Sequence, residues 1–185
     1  MVVARSDPDA SDPSVTVATT APPGSADALG ETPALDDLVL EGDGLGPITF
    51  GMPADQAIER LRVVLGEPRD DSLGPDPDLC PDRTVSWGWL RVSFSDEAAS
   101  SDLQFSGWSL NNRGDAIAET GPYLTTSQGI GLDSTAAEIE RLAPQADAGI
   151  SGQSYDLEDI SLYLDTAGPS GVVEYLGAGF NGCVE

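Results

Sequence analysis

Ile48-Thr49-Phe50-Gly51-Met52-Pro53 runs directly into Ala54-Asp55-Gln56-Ala57-Ile58-Glu59-Arg60-Leu61-Arg62-Val63-Val64-Leu65 and halts at Gly66-Glu67-Pro68. The fold class turns on this stretch. Ile48 to Phe50 reads as a short strand or extended lead-in. Pro53 suits the first turn of a helix, where its missing N–H leaves nothing unpaired. Ala54, Ala57, Ile58, Leu61, Val64 and Leu65 then fall on one apolar stripe, a helix of about three turns. Gly66 and Pro68 supply the stop. Upstream, Leu38-Val39-Leu40 leads into the turn-rich run Glu41-Gly42-Asp43-Gly44-Leu45-Gly46-Pro47.

Downstream, residues 66–83 read as a polar loop rich in Pro and Asp. Val85, Trp87 and Trp89 alternate on one parity, and Leu90, Val92 and Phe94 on the other. A strand changes parity only at a turn or bulge, and Gly88 is the place for one. A hairpin with strands at 83–87 and 90–95 is expected. A third strand at 103–110 carries Leu103, Phe105, Trp108 and Leu110.

The same grammar then recurs. Gly129-Ile130-Gly131-Leu132 echoes Gly44-Leu45-Gly46 and the residues after it. Thr135-Ala136-Ala137-Glu138 is a capping box, in which hydroxyl and carboxylate satisfy otherwise orphaned N–H groups. Ala136, Ile139, Leu142 and Ala143 form the apolar stripe, and Pro144 ends it. Strands are expected at 160–164 and 172–178, joined by Gly168-Pro169-Ser170-Gly171, with a shorter one near 150–155. Ile-Glu-Arg-Leu occurs in both helices, at Ile58–Leu61 and Ile139–Leu142, but the order of elements is the stronger signal. The expected fold is α+β: a tandem pair of helix-plus-antiparallel-sheet units, the first spanning 38–122 and the second 123–185.

Residues 1–37 are dominated by Asp, Ser, Pro, Thr, Ala and Gly, with no aromatic residue. Such a segment cannot bury enough apolar surface to offset chain ordering, and a disordered acidic tail is expected. It suits a tether to an envelope anchor equally with an ordinary tail. The start, Met1 to Pro8, lacks the apolar core of a signal peptide, and no apolar run is long enough to span a bilayer.

The 185 residues include 32 acidic and 8 basic ones, for a net charge of −24, and every basic residue is Arg. The absence of His excludes His triads and imidazole acid–base chemistry. With no Lys there is neither a Schiff-base lysine nor a phosphate-loop lysine. Nucleic acid and anionic membranes would be repelled. The charge favours a hydrated surface, or a basic or cationic partner. No calcium-loop spacing supports a specific metal site, and no cofactor is expected. Cys80 and Cys183 are too far apart for a redox or metal motif. They read as one disulfide, which closes a loop of about 100 residues and stabilises by roughly 4–5 kcal/mol in the chain-entropy model. Two free thiols in a cytosolic protein are the alternative.

The run Gly44 to Pro53, followed by a helix and Leu65-Gly66-Glu67-Pro68, resembles the start of the repeating unit in the β-lactamase-inhibitor-protein and BamE-like superfamily of small outer-membrane lipoproteins and exported proteins. It is also similar to uncharacterised actinobacterial exported lipoproteins, through Val85-Ser86-Trp87-Gly88, Gly129 to Leu132 and the near-terminal Cys183. The similarity covers residues 38–185. It implies a tandem αβ domain with a curved sheet, located in the envelope or the medium, acting by protein contact, with any signal or lipid anchor upstream. One departure is Asp133, where many second copies carry Gly.

The aromatic set Trp87, Trp89, Phe94, Phe105 and Trp108 is the candidate contact surface, since Trp and Tyr anchor protein interfaces. Phe94, Phe105 and Trp87 read first as core, because strand aromatics pack against the covering element. Trp89 falls at the hairpin tip, and Trp108 lies off the Leu103–Phe105 parity. The candidate protein-contact residues are Trp89, Trp108 and Trp87. Asp115 with Glu119, and the cluster Asp156, Glu158 and Asp159, could in principle form a glycosidase-like carboxylate pair. Among so many acids, chance spacing is the simpler account. The expected function is a non-enzymatic, exported protein-interaction domain. An acidic solute or cation binder is the first alternative, and a carboxylate-dependent hydrolase the second.

Overall fold

A computed structural model describes residues 33–73, 83–96, 102–112 and 123–179. The expected tail through residue 32, both cysteines, and the Asp115 and Glu119 pair lie outside the described residues. The fold opens slightly before Leu38, with a single 3-10 turn at Leu35–Asp37. Next come β1 (Leu40–Glu41), β2 (Gly44–Leu45) and β3 (Ile48–Thr49), which pair as a small antiparallel sheet. The helix α1 spans Ala54–Leu65 with Pro53 as its N-cap, and it buries Ala54, Ala57, Ile58 and Leu61.

The principal sheet has eight antiparallel strands. Its first meander is β4 (Asp70–Leu73), β5 (Arg83–Trp87), β6 (Leu90–Ser95) and β7 (Gln104–Asn111). After α2 (Ala136–Leu142) comes a second meander of β8 (Asp147–Ala148), β9 (Ser154–Leu157), β10 (Ile160–Leu164) and β11 (Val173–Gly179). The strand order is β4-β5-β6-β7-β11-β10-β9-β8, so the meanders meet through their last strands. Trp87 pairs with Leu90 across a two-residue turn in which Gly88 has φ 67°. A positive φ at the first central position matches the twist of a tight hairpin and favours glycine there.

Register explains the core. Val85, Val92, Trp108, Ala178, Ile160 and Leu157 form one row across the sheet. Leu90, Leu110, Leu176, Leu162 and Tyr155 form the next. All are buried, and they share a single hydrophobic cluster with the inner faces of α1 and α2. Successive strand residues point to opposite faces, so both helices of the described residues lie on the same face. The helix α2 carries the expected capping box: the Glu138 N–H donates to Thr135 Oγ1 at 3.3 Å, and the Thr135 N–H donates to Glu138 Oε2 at 2.8 Å. The Thr135 N–H, and then the Thr135 hydroxyl, both donating to that carboxylate, hold it below its usual range.

Each helix is attached to the sheet in the same way. Gly51 N–H donates to Phe105 O, Phe105 N–H to Met52 O, and Ala54 N–H to Leu103 O. Asp133 N–H donates to Val173 O, Val173 N–H to Ser134 O, and Ala136 N–H to Gly171 O. The bridges Pro53–Gln104 and Thr135–Val172 repeat the match. Asp133 has φ 66°, a left-handed backbone that Gly51 adopts at 83° in the corresponding place. Aspartate tolerates that conformation better than most side chains.

Residues 70–73 correct the expectation of a continuous loop between 66 and 83. Asp70-Asp71-Ser72-Leu73 forms the edge strand β4 although every residue in it is exposed. With no buried face it has no apolar alternation to read, and its charges blunt an open edge. It is fastened by Arg83, whose Nε and Nη2 donate to the two carboxylate oxygens of Asp71 at 2.8 Å each. This hydrogen bonding above all holds the Asp71 carboxyl below its usual value; burial opposes it, and the charges of Arg83 and then Arg62 add smaller lowering effects. A depressed folded-state pKa contributes stability above the unfolded value of about 3.9, and that stability is lost as pH falls through the folded value. Asp71→Asn should therefore lower the melting temperature at neutral pH, and by progressively less as pH falls through the folded-state value. Both partners are partly exposed, which keeps the cost at pH 7 below about 1 kcal/mol. An equal loss in melts at neutral and at acid pH would contradict the assignment.

Candidate functional site

The three tryptophans have separate fates. Trp108 is 0% exposed, and its Nε1 donates to the Glu41 carbonyl at 2.9 Å. Trp87 is 4% exposed, and its Nε1 donates to the Gly66 carbonyl at 2.8 Å. Neither is placed to touch a partner, which agrees with the first reading of Trp87 as core and corrects the choice of both as contact candidates. The cause at Trp108 is a bulge between Ser93 and Phe94, opposite Phe105 and Gly107. One extra residue on β7 returns Trp108 to the core face despite its odd spacing from Phe105.

Trp89 remains at the surface, half-buried in the β5–β6 turn. Its ring meets that of Tyr123 at 90°, with centroids 5.4 Å apart. Tyr123 is 76% exposed. The Trp89 Nε1 is buried without a hydrogen-bond partner, which costs on the order of 1–3 kcal/mol relative to a paired donor. These rings stand at a pocket of about 240 Å³ where the first meander meets the loop before α2. Leu110, Leu124 and Leu132 add apolar walls, and Asp133, Ser134 and Glu138 form a polar rim.

The helix-free face of the sheet is a second feature. One row across it reads Ser86, Arg91, Ser109, Gly177, Ser161 and Asp156. The adjoining row holds Asn111, Tyr175, Tyr163 and Ser154. The Tyr163 and Tyr175 rings lie 5.6 Å apart, edge to face. Burial raises the Tyr175 hydroxyl pKa most, Tyr163 adds to this, and Arg91 opposes it. Small residues at the centre, with one Arg and two Tyr beside them, make a shallow floor with larger groups at its side. Sequence reading passed over these tyrosines. Tyr163 lies opposite in parity to Ile160, Leu162 and Leu164, and that was the available signal.

Glu158 and Asp159 join Glu41 and Asp43 around a polar groove of about 460 Å³, with Ser127 and Gln128. Among the described residues no group of three or more acidic side chains could hold a metal ion. No helix of the described residues is long and apolar enough to cross a membrane. Comparison with known proteins yields no match: no family model, curated protein or solved structure is significantly similar to the chain.

Proposed function

We propose that this chain is an exported, non-catalytic interaction domain of the cell envelope or medium, and that it offers the helix-free face of its sheet to a protein partner. The observation that carries the reading is the composition of that face: Ser and Gly at its middle, with Arg91, Tyr163 and Tyr175 beside them. Tyr and Arg are enriched where protein interfaces bind most strongly. The small residues Ser109 and Gly177 are themselves buried, so contact with a partner falls to the larger side chains beside them. The surplus of 32 acidic over 8 basic residues favours a basic partner through electrostatic steering.

The double variant Arg91→Glu with Tyr163→Ala tests this. Both side chains are exposed, so the melting temperature should hold. Affinity capture from a native envelope extract should then lose a partner that the unmodified chain retains. Capture of the same partners in the same amounts by both proteins would refute the surface.

We also infer that the domain arose by internal duplication, in line with its resemblance to the β-lactamase-inhibitor-protein and BamE-like superfamily. The support is the repeated set of backbone hydrogen bonds: Gly51, Met52 and Ala54 with β7, and Asp133, Ser134 and Ala136 with the β11 end. Cys80 and Cys183 are assigned to one disulfide on their even number. Mass spectrometry of the non-reduced, natively produced protein should show a linked Cys80–Cys183 peptide, and two free thiols would argue against export.

A further inference from the structure

We propose that the pocket between Trp89 and Tyr123 receives a single cationic side chain, an arginine or lysine head, from a basic peptide segment of the partner. The inference rests on the proposed protein-interaction role and adds a specificity site away from the sheet face. Two rings at 90° with centroids 5.4 Å apart form adjacent walls of a corner. Aromatic faces attract guanidinium and ammonium groups, and they do so most strongly where water is displaced. The rim supplies formal charge through Asp133 and Glu138, both exposed, and among the described residues no basic one lines the pocket.

The chemistry of the rim favours a cation over an anion. The capping box already engages the Glu138 N–H at the start of α2, and the Ser134 hydroxyl accepts from the Gly131 N–H. Those donors are consumed, Asp133 and Glu138 line the pocket, and the Trp89 indole N–H stays without a partner. Leu110, Leu124 and Leu132 provide an apolar lining for the methylene stem that carries the charged head, the arrangement that long basic side chains adopt on apolar surfaces. A net charge of −24 raises the local concentration of any basic segment and makes the encounter dependent on salt.

The test is a titration monitored by the indole N–H signals of isotope-labelled full-length protein. The probes are N-acetyl-arginine amide, its uncharged citrulline counterpart, tetramethylammonium chloride and a short arginine-containing peptide. The Trp89 signal is assigned by its absence in Trp89→Phe, and the buried Trp87 and Trp108 signals serve as internal references. A saturable shift confined to Trp89 is expected with arginine amide and the peptide, with none from citrulline amide. Tyr123→Ala and Asp133→Asn should each weaken it by about tenfold or less. Equal response to citrulline amide, or no saturable response to arginine amide at low salt, overturns the proposal. Tetramethylammonium binding more tightly than the peptide overturns the peptide assignment in favour of a small free cation. The interaction reading is judged separately: a partner that Tyr123→Ala still captures fully, but Arg91→Glu with Tyr163→Ala does not, leaves the sheet face standing and rejects the pocket alone.

Discussion

Trp108→Ala is expected to lose about 3–5 kcal/mol of stability, the range for deleting a large buried aromatic side chain. Trp108 is 0% exposed and lies in the core row between Val92 and Ala178. Its indole N–H also donates to Glu41 O, linking the principal sheet to β1. Alanine removes the packing and the indole donor to that carbonyl. A small domain typically has only about 5–15 kcal/mol in hand, so the variant should be largely unfolded under mild denaturant. Trp108→Phe separates the two contributions. It keeps most of the ring volume but drops the donor, and should cost about 1–3 kcal/mol. Urea midpoints for the three proteins decide the matter, and a loss below about 1 kcal/mol in the alanine variant would contradict the burial argument.

Gly46→Ala should cost about 2–4 kcal/mol, combining left-handed backbone strain of about 1–2 kcal/mol with overpacking. Gly46 has φ 56°, and a Cβ there would strike the Asp37 carbonyl oxygen. The Leu35–Asp37 turn would have to move away from the small sheet. Gly129→Ala is the control. Its φ is 83°, and a Cβ there meets nothing within 4 Å, so it should cost only the backbone component of about 1–2 kcal/mol. Chemical denaturation of the pair isolates the steric part. Equal losses would place the whole effect in the backbone.

Where the sequence spoke clearly, it did so through periodicity and caps. The α1 stripe, the Thr135–Glu138 box and the Gly88 turn each depend on neighbours along the chain, and each stands where it was expected. β4 was illegible because an edge strand with both faces in water has no pattern beyond its charges. The shared Ile-Glu-Arg-Leu was partly misleading. The matching backbone bonds set Gly51 against Asp133 and Ala54 against Ala136, and therefore Ala57 against Ile139. The tetrapeptides are thus one residue out of register, and Leu61 is fully buried whereas Leu142 is only partly so.

The candidate site was legible to a lesser degree. Trp89 was separable from its neighbours because the turn that exposes it is local. Trp108 was not, since its burial depends on a bulge set by the pairing of β6 with β7. Tyr123, Tyr163 and Tyr175 acquire meaning only through ring partners far off or across a strand.

By itself, then, the sequence determined an α+β chain with two helices in a repeated order, a heavily acidic surface and no imidazole or amine chemistry, because these depend on residue type and short-range spacing. Tertiary structure alone decided that the two meanders join through β7 and β11 into one sheet, which aromatic rings remain at the surface, and that Trp89 meets Tyr123 beside a carboxylate rim. Those outcomes depend on strand register and on contacts between residues distant in the chain, and no local pattern encodes either.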